Sequence, residues 1–355
     1  MIDFRYHLVS IVAVFLALAI GIVVGSTALK PAVLSGLQQT TAQERKQIDG
    51  LIAQNAGLKQ QRDAAQQFAA SSEHLLLHGL LDGQRVVLVE APGAPGGVTT
   101  GVAAALTQAG AVVTGQLQVQ QQFFSTGTQA TLDTLNHQLT PAGVTLNTVT
   151  AQAQAAELIA SAIMTSAPPG QFPVGTSDSV DAATLSGYAA GGFLSISSGK
   201  LTARATLAVV IIPASPVSTS DTNTEAQNLV TLAQQLSLAG SGSALAGQLT
   251  GSGPGSAIDV LRTSGQAGHV SSVDDADYTT GQIVVAQTLY QQLSSGRPGN
   301  YGSLPGASAA GPSPAPAPSP TTSASATSSR KHPSGPGGAT GRAARPAAST
   351  TVSSR

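Results

Sequence analysis

The fold of this chain is decided by residues 84–114, which read QRVVLVEAPGAPGGVTTGVAAALTQAGAVVT. Arg85–Glu90 is a continuous apolar run of strand length, and a turn rich in glycine and proline follows it. Val98–Gln108 has the composition of a helix, and a second apolar run begins at Ala111. Strand, glycine-rich turn, helix and strand in this order predict a βαβ unit.

The same alternation returns towards the C-terminus. Four segments carry it: a buried strand at Thr206–Ile212, a helix near Thr224–Leu238, a strand at Ala257–Leu261 and a helix at Gly281–Leu293. Together with the first unit they predict an α/β domain over residues 84–302, with a Rossmann-like, mostly parallel sheet. Residues 120–200 are rich in Gln, Thr and Ala, and their weak periodicity predicts no definite elements.

The N-terminal segment has the length and composition of a membrane-spanning helix. No residue from Leu8 to Leu29 is charged. At 1.5 Å per residue this run spans about 33 Å, close to the roughly 30 Å of a bilayer core. Residues 1–30 are therefore predicted to be a transmembrane anchor, and Arg5 favours a cytoplasmic N-terminus with the body outside the cytoplasm. A signal peptide cleaved before Leu29 is the alternative, although its apolar region would be unusually long.

The polar segment at residues 31–80 is predicted to be a helical stalk. Steps of three and four residues define the stalk seam: Leu37, Thr41, Glu44, Ile48, Leu51, Asn55 and Leu58, continuing to Arg62, Ala65 and Ala69. This pattern indicates a short, degraded coiled coil in which Asn55 occupies an a-type position. The interpretation predicts a homo-oligomer assembled through the stalk. The alternative is a solitary solvated helix that lies on the body.

The C-terminal segment, residues 303–355, is predicted to be a disordered tail. Pro, Ser, Ala, Thr and Gly dominate it, and it contains basic but no acidic residues. Such a composition cannot bury enough apolar surface to fold. Contact with an envelope protein or an anionic envelope polymer is one interpretation, and a passive extension is the other.

The composition and motifs exclude several classes of protein. The chain has no cysteine, so it has neither disulfides nor thiolate metal sites. Its formal net charge of −1 gives no basic field for nucleic acid. The loop Pro92–Gly97 matches neither G-x-G-x-x-G nor a P-loop, so a simple turn is expected rather than a nucleotide site. No arrangement of Ser, His and Asp indicates catalysis, and we predict a protein that is not an enzyme and has no resident cofactor.

Two groups of residues are weak candidates for metal ligands. His74 and His78 are four residues apart, so on a helix both imidazoles lie on one face and can share a metal ion. Asp274, Asp275 and Asp277 precede a predicted helix and offer oxygen ligands to a hard cation. The alternatives are two histidines at the end of the stalk, and acidic residues facing the positive end of a helix, with Thr279 or Thr280 as its cap.

Two blocks of sequence resemble a known family. The first is Ile2–Ser10, which runs into the apolar stretch that ends at Gly21–Gly25. The second begins at Val270–Asp277 and closes on Gly299–Gly302. Both are similar to signatures of the mycobacterial copper transport protein B family, and the resemblance covers residues 1–302. It implies an actinobacterial envelope protein, described as an outer-membrane channel that limits copper in the cell, with copper as the transported ion.

The residues fit part of what the resemblance implies. Copper sites use thiolate, thioether or imidazole ligands, whereas this chain has no Cys and only the methionines Met1 and Met164. A single membrane helix encloses a channel only by oligomerising. Two functions are therefore expected: a copper-homeostasis protein, as an oligomeric pore or part of an efflux route, or a membrane-anchored adaptor whose body binds an envelope partner.

Overall fold

The computed structural model describes five segments of the chain, residues 4–167, 179–197, 201–214, 222–265 and 268–313. The predicted tail, residues 303–355, is described as far as residue 313, and residues 314–355 lie outside the description. The described part bonds to the body, since Ser308 N donates to the Asn300 carbonyl at 2.7 Å. The side chains of residues 27–35 are also outside the description, and these residues include Leu29, where the alternative signal-peptide cut would fall.

The first element is one continuous helix, α1, at Phe4–Leu77. It joins the predicted anchor and the predicted stalk without a break. Residues 36–65 are exposed along its whole circumference, apart from the half-buried Gly57. Since only one chain is described, the coiled coil stays a prediction.

Within the described residues, the body holds seven strands and seven further α-helices. The strands are β1 Arg85–Glu90, β2 Val112–Val119, β3 Leu194–Ile196, β4 Leu207–Ile211, β5 Gly242–Ala246, β6 Val270–Val273 and β7 Asn300–Tyr301. The helices are α2 Gly96–Gln108, α3 Gln129–Leu139, α4 Ala151–Ile163, α5 Ala182–Ala190, α6 Thr222–Ala239, α7 Ala257–Thr263 and α8 Thr279–Ser295.

These strands form one sheet in the order β3-β2-β1-β4-β5-β6-β7. Every neighbouring pair is parallel except β2 and β3, which are antiparallel. The prediction of an α/β domain with a mostly parallel sheet is therefore confirmed. The order of strands reverses beside β1, as in doubly wound folds.

Both faces of the sheet are covered, because alternate residues of each strand point to opposite sides. Val87 and Val89 face a core formed with α3, α4, α5, α6 and α7. Val86 and Leu88 face a second core formed with α2, α8 and the C-terminal end of α1. Burial on both sides explains why β1 reads as a continuous apolar run rather than an alternating one.

The predicted strand at Ala257–Leu261 is wrong, because this segment is the helix α7. Ser256 caps it, and its Oγ accepts a hydrogen bond from Asp259 N at 3.1 Å. The buried residues Ala257, Ile258 and Leu261 share one helical face. Their short apolar run fits a strand and a buried helical turn equally well, and only the cap distinguishes them.

Residues 120–200, which the sequence leaves unassigned, contribute α3, α4, α5 and β3. Asn136 is fully buried and joins three of these elements. Its Nδ2 donates to the carbonyl of Ala151 at 2.8 Å, and its Oδ1 accepts from the Tyr188 hydroxyl at 2.6 Å. Weakly periodic helices are thus fixed by a buried polar contact, which hydropathy alone cannot reveal.

The connection between β6 and β7 differs from its neighbours. The sheet advances in one direction from β4 to β7, yet α6 and α7 cover one face and α8 covers the other. The crossover through α8 therefore has the opposite hand to those through α6 and α7. Connections of the less common hand are rare in parallel sheets, and side chains around Asp274 hold this one in place.

Candidate functional site

The loop after β6 carries the predicted carboxylates, and Asp274 in this loop is a structural anchor. Its side chain is completely buried, and Oδ2 lies 2.7 Å from Nη1 of Arg262, which is itself 2% exposed. The carboxylate also accepts backbone hydrogen bonds from Ser303 at 2.8 Å and Leu304 at 3.1 Å. Arg262 Nη2 donates to the Tyr301 carbonyl at 2.7 Å. Because these contacts use the carboxylate to clamp β7, Asp274 is a poor metal ligand.

The other two carboxylates differ from Asp274 and from each other. Asp277 is exposed, and its Oδ1 accepts a hydrogen bond from Leu249 N at 3.2 Å. Asp275 is half-buried, and its Oδ1 lacks a hydrogen-bond partner among the described residues. Burial, and secondarily the Asp274 carboxylate, raises the pKa of Asp275 to about 6. The three acids therefore lie in three different environments.

Asp275→Asn is expected to stabilise the full-length protein at pH 7.5 by about 1–2 kcal/mol, after allowance for solvent screening. The folded pKa lies above the ordinary value of 3.8. The folded state therefore holds the proton more tightly, and its stability falls as the pH rises from about 4 to about 6. Asparagine removes this penalty, so the gain should vanish near pH 4. Urea unfolding at both pH values measures it.

Asp277→Asn is the matched control, because it removes an exposed carboxylate from the same loop and keeps the oxygen that Leu249 N contacts. It should leave the stability at pH 7.5 within about 0.5 kcal/mol of the parent. An equal gain from both variants would show that net charge, rather than the burial of Asp275, sets the effect.

The two histidines do come together. The ring centroids of His74 and His78 are 5.1 Å apart, with an interplanar angle of 64°. Both side chains are exposed. Among the described residues, no three His, Asp or Glu side chains lie close enough together to hold a metal ion. The pair thus offers two imidazoles at the end of α1, and any further ligand must come from elsewhere.

The start of α8 is held by α1 rather than by its own threonines. Tyr278 occupies the cap position without a side-chain capping bond. Instead, Gln66 Oε1 accepts from Thr279 N at 2.8 Å, and Gln66 Nε2 donates to Thr280 Oγ1 at 3.2 Å. The guanidinium of Arg62 lies 5.7 Å from the centre of the Tyr278 ring. The prediction of a threonine cap is wrong, because a distant helix supplies the capping group.

The loop after β1 lies beside the reversal of strand order, where open α/β sheets commonly bind ligands. Here the loop after β1 is joined to the loop after β4, since Ala214 N donates a hydrogen bond to the Gly93 carbonyl at 3.1 Å. Gln248 Nε2 donates to the Ala214 carbonyl at 3.1 Å and adds a third loop. The prediction of a turn at residues 92–97 holds as far as Pro95, because Gly96 and Gly97 already belong to α2.

A row of polar side chains crosses β1, β2 and β3, and sequence reasoning missed it. Glu90, Gln118 and Ser195 are in register on neighbouring strands, and all three are half-buried. Ser195 Oγ donates to Gln118 Oε1 at 3.3 Å, and Gln120 Nε2 donates to Ser195 Oγ at 2.9 Å. We call Glu90, Gln118, Gln120 and Ser195 the polar row. The sequence feature that could have predicted the polar row is the alternation of glutamines at 116, 118 and 120.

The fold and these contacts define an α/β domain carried on a long helix. Within the described residues, one helical segment, Phe4–Ser26, is long and apolar enough to cross a membrane. Length and composition alone support this assignment.

Comparison with known proteins gives the family. The family model described as "Copper transport outer membrane protein, MctB" matches residues 1–312. The chain is 31% identical over 313 residues to the copper transporter MctB of Mycobacterium tuberculosis strain H37Rv, covering 86% of this chain and 98% of the relative. It is also 31% identical over 321 residues to the copper transporter MctB of Mycobacterium leprae, covering 87% and 98%. The chain belongs to the MctB family of copper transport proteins.

Proposed function

We propose that this protein limits the copper content of the cell as a component of an efflux route. In this proposal, α1 crosses a membrane of the envelope once and holds the α/β body outside the cytoplasm. The observation that carries it is the family match over residues 1–312. The family description names an outer membrane, and the apolar segment Phe4–Ser26 is the anchor we assign.

The composition of the anchor favours an efflux component over a pore built from this helix. After Arg5, Tyr6 and His7, the segment up to Ser26 has only Ser10 as a polar residue before its end. A helix that is apolar on all sides faces lipid or another apolar helix, whereas a lumen requires a polar stripe. The ion path is therefore assigned to a partner, and this chain is assigned to its extracytoplasmic side.

The body has two features suited to a cation. Residues 84–302 contain eleven Asp or Glu and five Lys or Arg, and such an excess of negative charge attracts cations. His74 and His78 provide the imidazoles that copper favours, at the junction of α1 and the body. The proposal assigns transient copper contact to this pair, while Met164 is buried in the core and unavailable.

The proposal predicts more cell-associated copper in a deletion strain than in its parent, with the difference increasing when copper is added to the medium. The full-length gene should restore the parental copper content. A gene carrying His74→Ala and His78→Ala should restore it only in part, because both imidazoles are lost. Elemental analysis of washed cells measures the copper content of all four strains.

Gln38→Ala with Gln39→Ala is the matched control, since it changes two exposed residues of the same helix and should restore copper content fully. Equal copper in deletion and parent would reject the efflux role. Full restoration by the histidine variant would reject copper contact at the pair while leaving the efflux role intact.

The polar row favours a second function. In this alternative, the protein is a membrane-anchored adaptor that binds an envelope partner through its body. The row combines one carboxylate, two amides and one hydroxyl on a half-buried sheet surface, and such groups satisfy polar partners at interfaces. Equal copper in the two strains, together with one envelope protein recovered by crosslinking in cells, would establish this function in place of the first.

A further inference from the structure

The stalk seam is an apolar surface without a partner. Four of its members are more than half exposed: Leu37 at 64%, Ile48 at 54%, Leu51 at 65% and Leu58 at 58%. Ile52 beside them is 62% exposed. Leucine and isoleucine at steps of three and four residues are typical of a surface that packs against another helix. Between Leu37 and Leu58, no other element of the described chain covers the seam.

A free helix of this length is not explained by its own stability. Residues 36–65 span about 45 Å at 1.5 Å per residue. Helices in proteins owe most of their stability to packing of an apolar face. Apart from the half-buried Gly57, none of these residues is shielded from solvent. We therefore expect another helix to pack against the stalk along the seam.

The body of the same chain cannot be that partner. Towards the body, α8 already occupies this side of α1 at the seam residues Arg62 and Ala69 and at Gln66, which neighbours the seam residue Ala65. Arg62 lies over Tyr278, Gln66 caps α8, and Ala69 is 6% exposed. Since α8 begins at the level of Gln66, the seam above Arg62 extends beyond it.

A second copy of the chain fits the seam in both direction and charge. Two copies anchored by Phe4–Ser26 in one membrane have their N-termini in one plane, so their stalks run parallel. The segment 37–58 has no net charge, since Glu44 and Asp49 balance Arg45 and Lys46. Glu44 itself lies on the seam and meets the Glu44 of the second copy, so this position lowers the stability of the pair, as polar residues in a coiled-coil seam do. In a parallel pair, Asn55 meets Asn55, an arrangement that favours two strands and a fixed register.

We propose that residues 37–58 of two copies form a parallel, two-stranded coiled coil. The two α1 helices separate at Arg62, because from there on α8 of each copy packs against the same face of its own α1. This proposal rests on the anchored arrangement under the proposed function, and it names the partner of the stalk as a second copy. Two bodies are thereby held side by side above a single stem.

Disulfide crosslinking tests this proposal cleanly, because the chain has no cysteine. Leu37→Cys and Leu58→Cys place thiols at seam positions near the two ends of the segment. In a parallel pair each thiol meets its own counterpart within the 4.4–6.8 Å between Cα atoms that a disulfide needs. Mild oxidation of full-length protein in membranes should convert most of both variants into covalent dimers.

Gln39→Cys and Gln60→Cys are the matched controls, because they lie two residues away on the opposite side of the helix and are equally exposed. They should give at least tenfold less dimer. Equal crosslinking at seam and control positions would overturn the proposal. So would the absence of dimer in both seam variants, as expected of antiparallel or solitary stalks. Copper content is not part of this readout, so the efflux function can fail while the coiled coil stands.

Discussion

Arg262→Leu should lower the free energy of unfolding of the full-length protein by about 3–5 kcal/mol. Leucine leaves the Asp274 carboxylate buried without its counter-ion, which lies at 2.7 Å in the native protein. It also removes the donor to the Tyr301 carbonyl, at 2.7 Å, and so loosens β7. Urea unfolding in detergent, followed by circular dichroism, measures the loss.

Arg297→Leu is the control, since it makes the same chemical change at an exposed position of the same body. It should alter stability by less than about 0.5 kcal/mol. Adding Asp274→Asn to Arg262→Leu should recover part of the loss, because the unpaired charge is then removed. If Arg262→Leu were as mild as the control, the buried pair would not be what holds β7.

The glycine after β7 supports the same interpretation of this site. Gly302 has a φ of +125°, a backbone conformation that residues with a side chain rarely adopt. A Cβ at this position would clash with the Asp274 carboxylate. Close approach of the backbone to a buried ion pair thus explains the Tyr-Gly ending of the second family-like block. Of the aspartates in that block, Asp274 is the one that positions β7.

The fold was predictable where one rule decided the local structure. Arg85–Glu90 and Thr206–Ile212 are long apolar runs between turns, and both contain central strands of the sheet. The helix predicted near Thr224–Leu238 was found because its apolar periodicity extends over four turns. Ala257–Leu261 was assigned wrongly, since five residues are too few to separate the two periods.

The contacts of the site were less predictable, because they join residues far apart in sequence. Asp274 was noticed as part of a loop, yet its partner Arg262 belongs to helix α7, 12 residues earlier, and no sequence pattern links the two. Gln66 caps a helix that begins more than 200 residues later. The closeness of His74 and His78, by contrast, follows from helical spacing, and metal binding by the pair stays a prediction.

Two arginines in the apolar segment should abolish membrane insertion. Phe15→Arg with Leu18→Arg places two charges near the middle of Phe4–Ser26, at a cost of roughly 5–7 kcal/mol for insertion. A C-terminal phosphatase fusion, active only outside the cytoplasm, should lose its activity. The protein should also leave the carbonate-resistant membrane pellet.

Phe15→Leu with Leu18→Ile is the matched control. This variant should keep the phosphatase activity and should still be recovered in the carbonate-resistant membrane pellet. A tag at the N-terminus separates an anchor from a cleaved signal peptide. An anchor predicts that the tag and the body stay on one chain in the pellet, whereas cleavage releases a body without the tag. Resistance of the arginine variant to carbonate would contradict anchoring by this helix. The parallel stalk depends on the same result, because only a shared membrane places both N-termini at one end.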